Sequence, residues 1–471
     1  MTILARGSCK NSTRPWLYYG SLLAVLLLSL ASHCISAVAF GQYSHLIENI
    51  GLYVICQYSA MAGFMLLAWY TSPNATSLNA YKAMFVVAII ARFVLIDISP
   101  YTSNDVDRYL FDGRIAYEGY DPYQISHDDE MLIELRNQWQ PPAEHAAYAT
   151  LYPPISLALF AFCSSFGVED AQQAWQWLLL FVGLLTIGIS ALVLRKAKKL
   201  KHFALIALSP LLILETGVGL HVDAVSALAV ISAIYLWQHK SHAFCGAVIG
   251  LGMSIKILPV MLLLPFFFSQ ETRKGAAKLV LNCVLTVMCI YGITYGLGYY
   301  PVGSIGVFFE KWRSASPLFT LIDAHLSGTH TIILIISIIA LSASTIAYLC
   351  FRNRFPVQQN NVQAIIYACM QFSIALPLLI SPVVFPWYLM PLIPVLALWP
   401  NLYLIGWMML MPLTYEVLGN FLAHQVWQPA QWPIVLLGLW YLFTLFNIIS
   451  SLIKRSKFSH TNSDLVRASL K

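Results

Sequence analysis

Residues 174–201 read AWQWLLLFVGLLTIGISALVLRKAKKLK. The first 21 of them, Ala174 to Leu194, carry no ionisable side chain, and about 20 mainly apolar residues are what a helix needs to cross a hydrocarbon core. The rest packs Arg195, Lys196, Lys198, Lys199 and Lys201 into seven residues. An apolar run closed by a knot of cations is how a spanning helix meets the cytoplasmic side. The same pattern extends over the whole chain of 471 residues, which is 59% hydrophobic and 10% charged with mean hydropathy +0.69. A soluble domain carries about 25% charged residues, so separate soluble domains are excluded and one membrane domain over 1–471 is expected. Nine scattered cysteines, without a CxxC pair, exclude a disulfide framework and a zinc site.

Further apolar runs lie near 17–40, 49–70, 81–98, 203–219, 222–238, 276–298, 329–350, 361–380, 384–399, 402–420 and 432–452, with short helices at 242–255 and 258–268 meeting at Lys256. The fold class predicted is all-α: a polytopic integral membrane protein of about 12–14 transmembrane helices. The run 153–167 is short and flanked by polar residues, so it is read as interfacial. Counting it as a span would put Arg195 to Lys201 on the opposite side. With both termini cytoplasmic, 20 of the 27 Lys and Arg residues fall inside, among them Arg6, Lys10, Arg14, Arg354 and Lys471. The acids do the reverse, with only Glu271 and Asp464 inside. The sequons at Asn11 and Asn74 then face the cytoplasm and carry no meaning.

Thirteen of the 21 acids lie between Asp97 and Asp170. Ten of them belong to an outer loop at about 99–152, rich in Tyr and Pro, with short amphipathic helices expected at 128–138 and 142–149. A second outer loop runs from about 299 to 328. The first opens Ser103-Asn104-Asp105-Val106-Asp107-Arg108-Tyr109-Leu110-Phe111-Asp112-Gly113-Arg114. If 105–118 is helical, Asp105, Arg108 and Asp112 share one face, with Asp107 and Arg114 elsewhere. Carboxylates beside a low-dielectric bilayer can act as a general base or hold a divalent cation; local ion pairs that fix the loop are the alternative. Lys256 interrupts an apolar stretch, which marks either function or a lysine snorkelling to headgroups. Trp387 and Tyr388 fit sugar stacking or an interfacial aromatic belt.

The run DVDRYLFDGR, then GYDPY at 119–123 and Tyr152-Pro153-Pro154, resembles the GT-C superfamily of polyprenyl-phosphate-sugar-dependent glycosyltransferases, most of all bacterial mannosyltransferase-like members. The pair Asp105-Val106-Asp107 also resembles the D-x-D of the GPI mannosyltransferase. ETGVGLHVDA at 215–224, GMSIKILP at 252–259 and SPVVFPWY at 381–388 follow in the family's order. The likeness spans roughly 85–400, with 17–70 read as additional N-terminal helices, and Asp107 and Phe111 depart from the bacterial Tyr and Trp.

What the resemblance implies is transfer of a hexose, mannose by analogy, from a polyprenyl-phosphate donor to a glycan, glycolipid or protein hydroxyl. The transfer would be inverting, on the periplasmic face of the inner (plasma) membrane. Asp105 is then the expected base and Asp107 its challenger, with a possible divalent cation (Mg or Mn) on the pair. Arg108, Asp112, Arg114, His221, Asp223, Lys256, Trp387 and Tyr388 are expected to contact substrate. Glu416, Lys311 and Arg313 are weaker candidates for acceptor contacts. No nucleic-acid partner is expected. A transporter or flippase of lipid-linked sugars is the competing class, but it calls for ionisable residues near mid-membrane, whereas these acids cluster in a loop and at helix ends. An assembly subunit would not need the D-x-D cluster.

Overall fold

The computed structural model describes residues 15–41, 44–72, 77–326, 328–352 and 359–469. The sequons at Asn11 and Asn74 and the cations Arg6, Lys10, Arg14, Arg354 and Lys471 lie outside the described residues. The described residues are helical throughout, joined by turns and loops, with a single β-bridge between Ser314 and Val383.

The helices that position the site are α1 (Pro15–Ala39), α2 (Ile50–Tyr70), α3 (Leu78–Phe93), α4 (Asp105–Tyr117), α5 (Pro154–Ser164), α6 (Ala171–Lys196), α7 (Pro210–Gly217), α8 (Asp223–Gln238), α9 (His242–Met253), α10 (Arg273–Gly296), α11 (Thr329–Arg352), α12 (Gln359–Leu379) and α13 (Gln431–Ser469). Among the described residues, 7 helical stretches are long and apolar enough to cross a membrane: Pro15–Ala39, Leu46–Tyr70, Ala171–Lys196, Leu200–Gly217, Arg273–Gly296, Leu402–His424 and Gln431–Ser450. The protein is a polytopic membrane protein. Several of the other expected spans are shorter apolar helices, including Asp223–Gln238, Gln363–Leu379 and Pro386–Leu398, and the short helix expected at 242–255 is His242–Met253. The stretch expected as a span at 81–98 is helical only as far as Phe93.

Proline explains much of the shortening. It removes a backbone N–H and collides with the preceding turn. Pro210 opens α7, Pro377 sits inside α12, and Pro386, Pro391 and Pro394 divide 386–398 into a 3-10 turn and a six-residue helix. Pro412 does the same between Leu402–Leu410 and Leu418–His424. The expected interfacial segment 153–167 is the 11-residue α5, far too short to span.

Burial separates centre from rim. The stretch Leu200–Gly217 is 83% buried, whereas Gln431–Ser450 is 11% buried and displays Leu442 and Phe446 outward, the arrangement of a helix facing lipid. Close helix contact depends on glycine at two places. A Cβ on Gly246 of α9 would strike the Leu279 carbonyl of α10, so these helices touch backbone to backbone. A Cβ on Gly113 of α4 would likewise collide with the backbone of Phe160 and Ala161 in α5. Gly113 therefore lets the loop helix lie directly on α5.

The 99–152 and 299–328 loops are tied together. Ser304 donates through N to the Thr150 carbonyl (3.1 Å) and through Oγ to that of Ala149 (2.7 Å). Tyr299 Oη donates to the Ala116 carbonyl at 3.0 Å. Ser314 pairs with 382–384, and Ile155 N donates to the Ser254 carbonyl at 2.9 Å. One end of the bundle thus gathers segments far apart in sequence.

Candidate active site

The site is built on the first turn of α4. Ser103 Oγ accepts from Asp105 N (3.0 Å), which starts the helix at Asp105. Helical spacing then sets Tyr109 one turn on, and its hydroxyl donates to Asp105 Oδ2 at 3.3 Å. The Tyr109 ring is itself held flat on Phe160 of α5, centroids 4.7 Å apart and 3° from parallel.

Across from Asp105 stands His221, at the turn between α7 and α8. Its Nδ1 is 3.5 Å from Asp105 Oδ2 and its Nε2 is 3.5 Å from Glu215 Oε2, and the ring has no exposure. The turn is shaped by Leu220, held at φ 56 in the left-handed region that leucine rarely adopts. The Leu220 carbonyl accepts from Trp175 Nε1 (2.8 Å), and His221 N donates to the Glu215 carbonyl (2.9 Å). Glu215 is oriented in turn by the hydroxyls of Tyr58 (2.5 Å) and Tyr415, both donating to Oε1. The His221 imidazole lies flat on Trp387, 3.8 Å between centroids and 9° from parallel.

The adjoining residue extends the site. Tyr388 offers its ring to the Lys256 ammonium, 3.9 Å from the centroid. Lys256 Nζ donates to both oxygens of Asp223 at 2.7 Å. The dipeptide Trp387-Tyr388 therefore joins the Asp105–His221 pair to the Asp223–Lys256 pair. Of the residues expected from sequence, Asp105, Arg108, His221, Asp223, Lys256, Trp387 and Tyr388 come together.

Arg108 completes the ring of charge. It is buried, its Nη1 lies 3.3 Å from His145 Nδ1, and its Nε has no hydrogen-bond partner, with Asp112 Oδ2 at 4.0 Å. Burial alone would push the Asp105 carboxyl up. The hydrogen bond and charge of His221, with smaller help from His145 and Arg108, outweigh it and hold that carboxyl at about 2. His145 is lowered to about 4, by burial first and then by Arg108. Asp107 moves the other way: burial, then the charges of Asp105 and Glu144, raise it to about 6.

Three expected residues are placed elsewhere. Asp112 is sealed with no exposure, accepting from Thr150 Oγ1 (2.7 Å) and bonded to His127 Nε2 (2.6 Å). It anchors the loop onto α4. Arg114 pairs with Glu118 at the far end of the helix, with its guanidinium over Tyr117 and Trp139. Asp107 is two residues beyond Asp105, hence on a different side of α4. Among the described residues no group of three His, Cys, Asp or Glu is spaced to hold a metal ion. The groups against Asp105 Oδ2 are the Tyr109 hydroxyl and the His221 imidazole, not further carboxylates, a set that fits a divalent cation poorly. Glu215, His145, Tyr58 and Tyr109 are the parts of the site that the candidate residues did not include. Only Glu215 carried a signal, through its nearness to His221 in the chain.

A partly buried carboxylate beside a histidine, cations near it and a floor of parallel rings thus lie together in a helical membrane bundle. Residues 18–270, more than half of the chain, match the MptA_B family, described as alpha-(1->6)-mannopyranosyltransferase, N-terminal domain, and the chain belongs to that family. It is thus a glycosyltransferase of the mannosyltransferase kind. The match takes in α1 and α2 and ends before Trp387 and Tyr388. No curated protein and no solved structure gives a match.

Proposed function

We propose that the chain moves a mannosyl unit from a polyprenyl-phosphate donor to a hydroxyl of a mannose-bearing acceptor, with inversion, on the periplasmic side of the plasma membrane. The observation that carries this reading is the convergence of Asp105, His221, Asp223 and Lys256 on one dipeptide, with Asp105 Oδ2 3.5 Å from His221. Asp105 takes the acceptor proton as the acceptor oxygen bonds to the anomeric carbon. The bond from that carbon to the phosphate oxygen breaks, and its electron pair leaves with the lipid phosphate.

The leaving phosphate needs cations. Lys256 has three N–H donors, of which two go to Asp223, so one remains. The unpartnered Nε of Arg108 is a second donor. His221, fixed by Glu215, keeps Asp105 ionised and aimed. No step runs through a metal ion. The outer orientation rests on the basic residues counted to the other face.

The test is transfer of labelled mannose by purified protein in lipid nanodiscs, from synthetic polyprenyl-phosphate mannose to a mannoside. Asp105→Asn is expected to lower turnover by about 10²–10⁴-fold. Transfer from a nucleotide sugar with no lipid donor present would refute the donor assignment. Retention of anomeric configuration would refute the single displacement.

A further inference from the structure

A cavity shares a wall with this site. It is a cleft of about 720 Å³, open mouth included, lined by Thr102, Arg313, Trp387, Glu416 and Trp427 among others. Its back wall leads straight to the catalytic pair. Phe385 lies flat on Trp387 (4.5 Å, 7°), and Trp387 lies flat on His221 (3.8 Å, 9°), which faces Asp105. At the mouth, Trp427 is 47% exposed, and its ring neighbours Phe385 and Phe421 meet it at 79° and 78°, so no ring is stacked on it.

The polar groups in the cleft are of a particular kind. Thr102, three residues before Asp105, is 3% exposed and its Oγ1 has no hydrogen-bond partner, a state that a ligand hydroxyl would relieve. Glu416 uses Oε1 to accept from Ala430 N (2.6 Å). Arg313 is committed to the Phe309 and Trp312 carbonyls and lies 3.8 Å from Asp323. A carboxylate and an engaged arginine do not suit a phosphate, and neither Arg108 nor Lys256 lines the cleft. Free aromatic surface beside hydroxyls and one carboxylate suits a neutral pyranose.

We infer that this cleft is the acceptor subsite, holding the terminal sugar of a neutral mannoside with its ring against Trp427 and its hydroxyls on Glu416 and Thr102. The inference rests on the reading proposed above. It puts the acceptor on the Trp387 side of the Asp105–His221 pair, while Arg108 and Lys256, assigned above to the phosphate, lie outside the cleft.

The test uses full-length protein in nanodiscs and α-(1→6)-mannobiose as the probe. Ligand-observed saturation-transfer NMR is run without donor, and KM values for mannobiose and for polyprenyl-phosphate mannose are measured separately. Trp427→Ala, Glu416→Gln and Thr102→Val are each expected to weaken mannobiose binding and raise its KM by about tenfold, which corresponds to the loss of one good contact. The donor KM is expected to stay within about twofold of wild type, which requires no energy beyond ordinary scatter. Trp427→Phe, which keeps a ring, is expected to restore most of the affinity and to show that the alanine variant lost a contact rather than its fold. Variants that raise the donor KM instead, or that leave both mannobiose measurements unchanged, overturn the assignment. Mannobiose binding that depends on these residues, in a protein that transfers nothing from the lipid donor, overturns the donor reading and leaves the cleft assignment standing.

Discussion

Replacing His221 with Phe isolates what the histidine does for Asp105. The ring and its stack on Trp387 at 3.8 Å are retained, while the nitrogen 3.5 Å from Asp105 is lost. The Asp105 carboxyl lies at about 2 against an ordinary 3.8, a difference worth about 2 kcal/mol. Burial acts in the opposite direction and is the largest single influence, so the favourable contribution of His221 and its companions exceeds that figure. Without His221 the effect of burial is opposed only by His145 and Arg108, and the Asp105 carboxyl is expected to rise. The assay is kcat/KM for mannosyl transfer between about pH 4 and 8, where an acid limb reports the base of the free enzyme. Wild type is expected to show no limb from Asp105 in that range, and His221→Phe is expected to acquire one. Superimposable profiles would refute the assignment of His221 as the group that keeps Asp105 ionised. A wild-type limb at about 6 that disappears in Asp107→Asn would instead make Asp107, raised to about 6, the base. The sign for stability follows from the same depression. Asp105 stabilises the folded state fully above 3.8, and that contribution is lost as the pH falls through about 2. The variant lacks this reserve and should unfold at a higher pH on acidification.

Other residues give separable outcomes. Lys256→Met leaves the buried Asp223 carboxylate without its partner at 2.7 Å, at a cost of about 3–5 kcal/mol; thermal melting should fall, and adding Asp223→Leu should restore melting but leave turnover at least about 10²-fold down. Asp112→Ala strands the Thr150 and His127 donors and is expected to cost about 3 kcal/mol in unfolding, whereas Arg114→Ala, at a surface pair, should cost less than about 1 kcal/mol; neither should alter either substrate's KM, and a KM change in Asp112→Ala would show that it reaches substrate. Single cysteines at Glu130 and Lys201, both exposed, test orientation: a membrane-impermeant maleimide applied from the periplasmic side should label the first and not the second.

Much of this protein is written in short-range pattern. The run at 174–194 needs only its own apolar content to demand a membrane, and Arg195 to Lys201 need only their charge to choose a side, because partition between water and hydrocarbon is decided residue by residue. The helix expected over 105–118 was legible in the same way, from spacing, and it runs from Asp105 to Tyr117. Spacing also put Asp112 on one face with Asp105, yet seven residues carry it about 10 Å along the axis, where Thr150 and His127 enclose it. The prolines at 386, 391, 394 and 412 were legible too, although hydropathy smooths over them and suggests longer helices than form. Tertiary structure alone decided the rest. Glu215 is held by Tyr58, 157 positions before it, and by Tyr415, 200 positions after it. Lys256 finds Asp223 across 33 positions, and Trp387 turns inward to His221 instead of standing at the interface. Such partners share no period and no local motif. They meet because helices of particular lengths, broken at particular prolines, pack their ends together, and that packing is a property of the whole chain.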